Sequence, residues 1–251
     1  MIELHNKAAL ITGGASGIGA AIARRLASHG ARIAVADLDS AKGEQVAAEV
    51  GGLFVRTDVS NQSDYARAFE VAGHIDIVVL NAGVGGFGNL TESFDADSYH
   101  RLRAINFDGV VFGIQAARQH FAEHGGGTII VTSSLAGLFE SPLDPLYAAT
   151  KHAVIGLVRS MGPVLAPEDI TINALCPTVI DTPIFPREVL DAIRAAGIAV
   201  LDAEKVADTV DAILASDSTG QAWPVLPHQL PAPFAFPELP ELMTNRTEVM
   251  S

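Results

Sequence analysis

Cysteine is nearly absent from this chain. Cys176 is the only one in 251 residues, so no disulfide can close within the chain and no cysteine-based zinc site can be built. Positive charge is also scarce, with 16 Lys and Arg against 29 Asp and Glu and a formal net charge of −13. Phosphate backbones and anionic lipid repel such a surface, which argues against nucleic acid and membrane partners. No apolar run reaches the ~18–20 residues that cross a bilayer. The opening MIELHNKAALITGG lacks the cationic segment, apolar run and small-residue cleavage site of a signal peptide, and reads as the first strand of a fold. A reducing cytoplasm is the expected compartment. The eight histidines are scattered, with no metal-ligand spacing, so no metal is expected.

Apolar material is plentiful. Hydrophobic residues make up 49% of the chain and charged residues 18%, enough for a large ordered core. Seven apolar runs have strand length: Ala8–Ile11, Arg32–Ala36, Leu53–Thr57, Ile75–Leu80, Thr128–Thr132, Thr171–Leu175 and Ala222–Leu226. Helical patterns lie between them at Gly17–His29, Ser40–Val50, Ser63–Ala72, Asp97–His120, Leu146–Leu165 and Ala203–Ala215. Strands with few polar positions, separated by amphipathic helices, predict an α/β domain: one doubly wound parallel sheet of Rossmann type with helices on both faces. Residues 1–228 read as that single domain. Residues 229–251 read as an irregular tail, because five prolines between Leu226 and Leu242 remove backbone donors. Its Phe234 and Phe236 suit either a segment lying over its own domain or one that docks at an interface or a site mouth.

The first strand runs into TGGASGIG, placing Gly13, Ser16, Gly17, Ile18 and Gly19 at the start of a helix. Glycines allow the turn and the close backbone approach, and the helix N-terminus offers unpaired N–H groups to a pyrophosphate. The strand before and the helix after supply the context that an isolated glycine cluster lacks. The second strand ends in Asp37, about 20 residues downstream, where a carboxylate can accept hydrogen bonds from ribose hydroxyls. That charge repels a 2′-phosphate, and no Arg or Lys stands at Gly14–Ser16 or at Leu38 to reward one. The expected cofactor is NAD.

Further motifs follow in order: Asp58-Val59, Asn81-Ala82-Gly83, Asn106, Ser133-Ser134 and Tyr147-Ala-Ala-Thr-Lys151. With the glycine loop and Asp37, they make the chain resemble the short-chain dehydrogenase/reductase family over about residues 5–226. The resemblance implies Asn106, Ser134, Tyr147 and Lys151 as catalytic residues, with Ser134 preferred to Ser133 by its spacing before Tyr147. It also implies Asp58 and Val59 beside the adenine and Asn81, Ala82 and Gly83 along the cofactor. Pro177, Val179 and Thr182 would lie near the nicotinamide, Lys151 would bind its ribose, and Asn106 would hold a water for proton exchange. Family members are usually tetramers or dimers. Here Gly109, Gly113, Gly156 and Gly162 would let the helices carrying Asn106 and Tyr147 approach those of a second subunit. The pair Gly162-Pro163 is expected to kink the second of these helices.

Physical chemistry agrees with that assignment. Tyr147 and Lys151 are i, i+4 and share a helix face. A cation beside a phenol favours phenolate, and lowering its pKa from ~10 to ~7 takes about 4 kcal/mol of differential stabilisation. Three departures from the family pattern stand out: Leu80 before Asn81, Thr178 where a glycine is usual, and no DGG near the end. Thr178 bears on loop shape, since threonine takes positive φ only at a cost. The C-terminal third is similar to the hydroxyprostaglandin dehydrogenase type of branch. Leu135, Phe139, Leu143, Leu146, Ile184 and Phe185 are expected around the substrate. A largely apolar lining points to a lipophilic secondary alcohol or ketone. Two other readings stand beside this: a non-catalytic NAD-binding sensor or scaffold, and a sugar-nucleotide epimerase or dehydratase of the extended relatives.

Overall fold

The computed structural model describes residues 2–85, 90 and 94–237, so the last part of the expected tail, 238–251, lies outside the described residues. Seven strands form one sheet: β1 (Ala8–Thr12), β2 (Arg32–Asp37), β3 (Leu53–Arg56), β4 (Ile77–Leu80), β5 (Gly127–Thr132), β6 (Ile170–Pro177) and β7 (Ala222–Val225). Their order is β3-β2-β1-β4-β5-β6-β7 and every pairing is parallel. All seven apolar runs read from the sequence are strands, displaced by two residues at most.

Burial on both faces explains the runs. All five residues of β1 are buried. Ala8 and Leu10 face one core layer with Tyr65, Phe121 and Val154, while Ala9 and Ile11 face the other with Ile22, Leu26 and Val206. The period of two thus divides one strand between two cores. The first layer is covered by α3 (Gln62–Ala72), α5 (Gly109–His124) and α6 (Pro145–Leu165), the second by α1 (Gly17–Ser28), α2 (Ser40–Glu49) and α8 (Ala203–Leu214). Truncating a fully buried side chain such as Leu26 to alanine costs about 2–5 kcal/mol.

Two helical readings need correction. The single helix read at Asp97–His120 is α4 (Ala96–Arg103), a wide π turn (Ala104–Asp108) and α5, which continues to His124. A further helix, α7 (Arg187–Ala195), stands beyond those read from the sequence, with Leu190 as its one buried residue. The second of the expected partner-facing helices, α6, runs on through Pro163 to Leu165.

Glycines on these helices mostly serve the chain's own packing. A methyl at Gly109 would press on Val59, at Gly113 on Leu80 and the Tyr65 hydroxyl, and at Gly162 on the Gly220 backbone. Of the four expected to receive a second subunit, Gly156 alone faces open space. The tail is irregular but ordered against the body as far as described. The Phe234 N–H donates to the Ala222 carbonyl at 2.7 Å. The Phe236 ring lies under the Arg159 guanidinium at 3.7 Å.

Candidate active site

The strand order reverses direction between β1 and β4, and loops at the carboxyl ends of the strands diverge there into a crevice. The glycine loop leaves β1 into this crevice. Gly13 and Gly17 have φ of 63° and 51°, values that favour glycine. A methyl on Gly19 would collide with the Gly13 carbonyl, and one on Gly17 would fall 2.9 Å from Thr182 Cγ2. Ser16 opens α1 without a side-chain cap, and the first turn, which includes Ile18, holds no acidic residue. The amides of that turn therefore face the crevice without a side-chain anion of their own.

Asp37 closes one end of the loop. Its carboxylate accepts from the Ala15 and Asp39 amides, each at 3.0 Å. Asp58 follows β3 and accepts from the Ser60 hydroxyl at 2.6 Å, with Val59 buried beside it. Asn81 pins the next loop to β1 and β5. Its side-chain amide donates to the Thr12 and Gly13 carbonyls at 3.2 Å and accepts from the Thr132 hydroxyl at 3.1 Å. Ala82 donates to the Thr12 hydroxyl at 3.2 Å. Gly83 is the narrow point, since a methyl there would stand 3.5 Å from both Lys151 Nζ and Asn106 Oδ1.

Asn106 occupies the π turn and is fully buried. Its amide clamps one backbone residue from both sides, accepting from the Val84 N–H at 2.9 Å and donating to the Val84 carbonyl at 2.8 Å. Such wide turns recur where a side chain must be re-aimed. No sequence pattern pointed to Val84, because the contact is to backbone.

The two serines after β5 have different employment. Buried Ser133 donates its hydroxyl to the Lys151 carbonyl at 3.0 Å. Ser134 accepts from the Ala136 amide at 3.1 Å, and its hydroxyl acts on the Tyr147 phenol by favouring the ionised form. Asp144 caps α6 by accepting from the Tyr147 amide at 3.2 Å, which fixes where the tyrosine enters the helix. One turn on, Lys151 is buried and donates from Nζ to the Thr132 carbonyl at 2.9 Å, with Nζ 5.5 Å from the Tyr147 ring centroid.

Burial governs both ionisations. Loss of water raises the Tyr147 pKa to about 12; the Ser134 hydroxyl opposes this, while Asp144 and Cys176 add to it. Loss of water lowers the Lys151 pKa to about 8, partly offset by Cys176. Without a further positive charge, the phenol is therefore a neutral group here. The phenolate expected beside Lys151 relies on a second cation, the nicotinamide, and in the chain alone the ammonium is turned to Thr132.

Pro177 ends β6, and the chain then passes Val179 and Thr182 over the glycine loop. Thr178 keeps a negative φ, since Asn6, Asp169 and His228 are the described non-glycine residues with positive φ. The loop accommodates threonine in an ordinary backbone conformation. The same loop is tied to α7, because Asp181 pairs with Arg194 at 2.6 Å and Arg187 at 3.3 Å.

The residues expected around a substrate divide. Ile184 and Tyr147 meet across Gly85, where a methyl would stand 3.7 Å from each. Leu135 and Phe185 are half-buried and Leu146 is buried. Phe139 packs edge-on against Phe234 of the tail, centroids 5.8 Å apart, a contact that sequence proximity could not suggest. Leu143 is 94% exposed and touches almost nothing.

The fold is shared with known proteins. The family model described as short chain dehydrogenase matches residues 7–192. The chain belongs to this family. Among curated proteins it is 36% identical to the sex determination protein tasselseed-2 of Zea mays over 194 residues, covering 73% of this chain and 58% of that protein. It is 39% identical over 186 residues to a 3beta-hydroxysteroid dehydrogenase 2 of Eggerthella lenta, covering 69% of this chain and 71% of that protein. The crystal structure of a 3-ketoacyl-(acyl-carrier-protein) reductase from Brucella melitensis, complexed with NADH, superposes with a TM-score of 0.80 at 32% identity. That match covers 89% of this chain and 98% of the reductase.

Proposed function

We propose that this protein is an NAD-dependent oxidoreductase that interconverts a lipophilic secondary alcohol and its ketone through Ser134, Tyr147 and Lys151, with Asn106 as a supporting residue. The observation that carries the reading is the pairing of Tyr147 and Lys151 on one face of α6, with Lys151 Nζ buried and 5.5 Å from the Tyr147 ring centroid. The residues present fit a dinucleotide. Gly13, Gly17 and Gly19 let the loop fold tightly against Ala82, Thr182 and its own backbone, where any side chain would collide, and α1 presents uncapped amides for a pyrophosphate. Asp37 stands where ribose hydroxyls would be received, and its charge favours NAD over NADP.

When bound, the nicotinamide supplies the group that accepts or donates hydride. The protein's own residues do the rest. Ser134 donates a hydrogen bond to the substrate oxygen and holds it against Tyr147. In the oxidation direction Tyr147, as phenolate, takes the hydroxyl proton; in reduction the phenol returns it to the carbonyl oxygen. Lys151 supplies positive charge and a donor to the nicotinamide ribose. Asn106, by clamping Val84, holds the Asn81–Gly85 loop at the distance that Lys151 and Tyr147 require. Ile184, Leu135, Leu146 and Phe185 give the substrate side its apolar character, which rewards hydrocarbon and penalises charge.

The hydroxyprostaglandin dehydrogenase type of branch, a cytoplasmic location and a dimer or tetramer belong to the same reading. Among the described residues no helix is long and apolar enough to cross a membrane. The test is NADH formation, followed by absorbance, across a panel of secondary alcohols, with Tyr147→Phe as control. Activity with a lipophilic alcohol that falls about 10²–10⁴-fold in the mutant is the expected result. Full activity in Tyr147→Phe would overturn the mechanism. Tight NAD binding without turnover of any alcohol would favour a sensor instead.

A further inference from the structure

Three of the eight histidines, dispersed in the sequence, converge in the fold. His120 and His124 are one helical turn apart at the end of α5, and His74 lies in the loop that leads into β4. Each ring offers a nitrogen, and the three nitrogens lie within 4.8 Å of one another. The His120 and His124 rings stack at 4.1 Å, and His74 tilts against His124 at 5.2 Å.

We propose that His74 and His124, joined by His120, form a binding site for a divalent first-row cation of the zinc class, at the amino-terminal end of the central strand β4 and so at the opposite end of the strands from the candidate active site. A hydrogen bond prepares one ring and a nearby carboxylate another. His124 Nδ1 lies 2.7 Å from the His120 carbonyl. A carbonyl can only accept, so Nδ1 carries the proton and Nε2 keeps its lone pair. His74 Nε2 lies 3.4 Å from Asp76 Oδ1, which leaves Nδ1 free. A carboxylate or carbonyl behind a ligating imidazole is the usual support of a metal-bound histidine. Asp76 is itself fixed, accepting from Lys7 Nζ and the Ala8 amide, both at 2.9 Å.

His120 is prepared differently. Its Nε2 accepts the Ile75 N–H at 3.0 Å and its ring stacks on Phe69. The cation therefore gains the third imidazole only by displacing that hydrogen bond, while His74 and His124 supply the anchoring pair. Tetrahedral zinc, with Zn–N of about 2.0–2.1 Å, holds its nitrogens about 3.3 Å apart. Exposed His74 and His124 can close that gap by side-chain rotation. Imidazole suits zinc, nickel, copper and cobalt, and not the hard cations that prefer oxygen. The site would bind the end of α5 to the entry of β4, and so act on stability.

The test uses the full chain stripped with a chelator and titrated with Zn²⁺ alone by calorimetry, with melting followed in parallel. Expected are one equivalent bound, a melting temperature that rises with Zn²⁺, and at least tenfold weaker binding in both His74→Ala and His124→Ala. His152→Ala should leave it unchanged. Because a variant can lose structure, Zn²⁺ is also added to the wild-type protein and histidine ring resonances are followed by NMR. Shifts confined to His74, His120 and His124 support the site. No bound equivalent, or binding that survives both variants and leaves those resonances in place, overturns it. None of these readouts depends on turnover, so the proposed oxidoreductase activity can fail while the site stands.

Discussion

Lys151 gives its ammonium to the Thr132 carbonyl at 2.9 Å, while the Tyr147 ring it is expected to assist has its centroid 5.5 Å from Nζ. The two residues are placed on one face by the helix, yet the cation is stored against β5 until something else calls on it. Such storage keeps a buried charge hydrogen-bonded rather than leaving it bare, which would cost several kcal/mol.

The first prediction concerns pH. Burial brings the Lys151 pKa to about 8, so its charge is lost as pH rises through that value. An ammonium that donates to a ribose hydroxyl binds best below it. NADH affinity, measured by fluorescence titration, should weaken by up to about fivefold from pH 8 to 9 and stay flat over that interval in Lys151→Met. The stability of the cofactor-free protein runs the other way. The unfolded lysine keeps its proton to pH ~10.4, so this group favours folding progressively as pH rises from about 8 to that value.

Ser133 and Ser134 offer a paired test. Ser133→Ala removes a buried hydrogen bond to the Lys151 carbonyl and should lower stability by about 1 kcal/mol with most of kcat retained. Ser134→Ala should leave the melting temperature nearly unchanged and reduce kcat about 10²-fold or more. Denaturation midpoints and steady-state kinetics on both variants decide it; equal loss of kcat in the two would refute the distinction.

The proposed preference for NAD rests on Asp37. Replacing it with Ser and Leu38 with Arg removes the repulsion and adds a phosphate partner, so kcat/KM should move from NAD toward NADP by 10-fold or more, on the order of 1–3 kcal/mol. The Ala15 and Asp39 amides also lose their acceptor, so NAD affinity should fall as well. An unchanged ratio of kcat/KM for the two cofactors would refute the assignment.

What could be read in the sequence was whatever repeats locally. The strands announce themselves because burial on both faces forces apolar runs, as at Ala8–Thr12. The glycine loop is legible because Gly13 and Gly17 need positive φ and Gly19 needs an absent side chain. Illegible were contacts made to backbone or across long separations. The Val84 clamp on Asn106, the Thr132 carbonyl under Lys151 and the Phe139–Phe234 pair leave no periodic trace. The π turn at Ala104–Asp108 hides inside a continuous helical pattern, since one added residue per turn shifts the register without changing composition. Helix α7 buries only Leu190 across its nine residues, so its amphipathic spacing is too brief to stand out beside the core helices. The histidine trio is likewise a product of topology, joining a β4 approach with the end of α5.

The tail segment at Phe234 has a meaning for how this chain survives among its own copies. Among the described residues strand β7 is the last of the sheet, and no further strand pairs with it. By donating to the Ala222 carbonyl and burying its ring beside Phe139 and Phe236, Phe234 occupies part of that open rung. An unpaired parallel edge is a template on which another chain can stack. A chain cut before Phe234 would keep its crevice and its glycine loop and yet gain an adhesive margin, so the proline-rich end acts as the sheet's own selvedge.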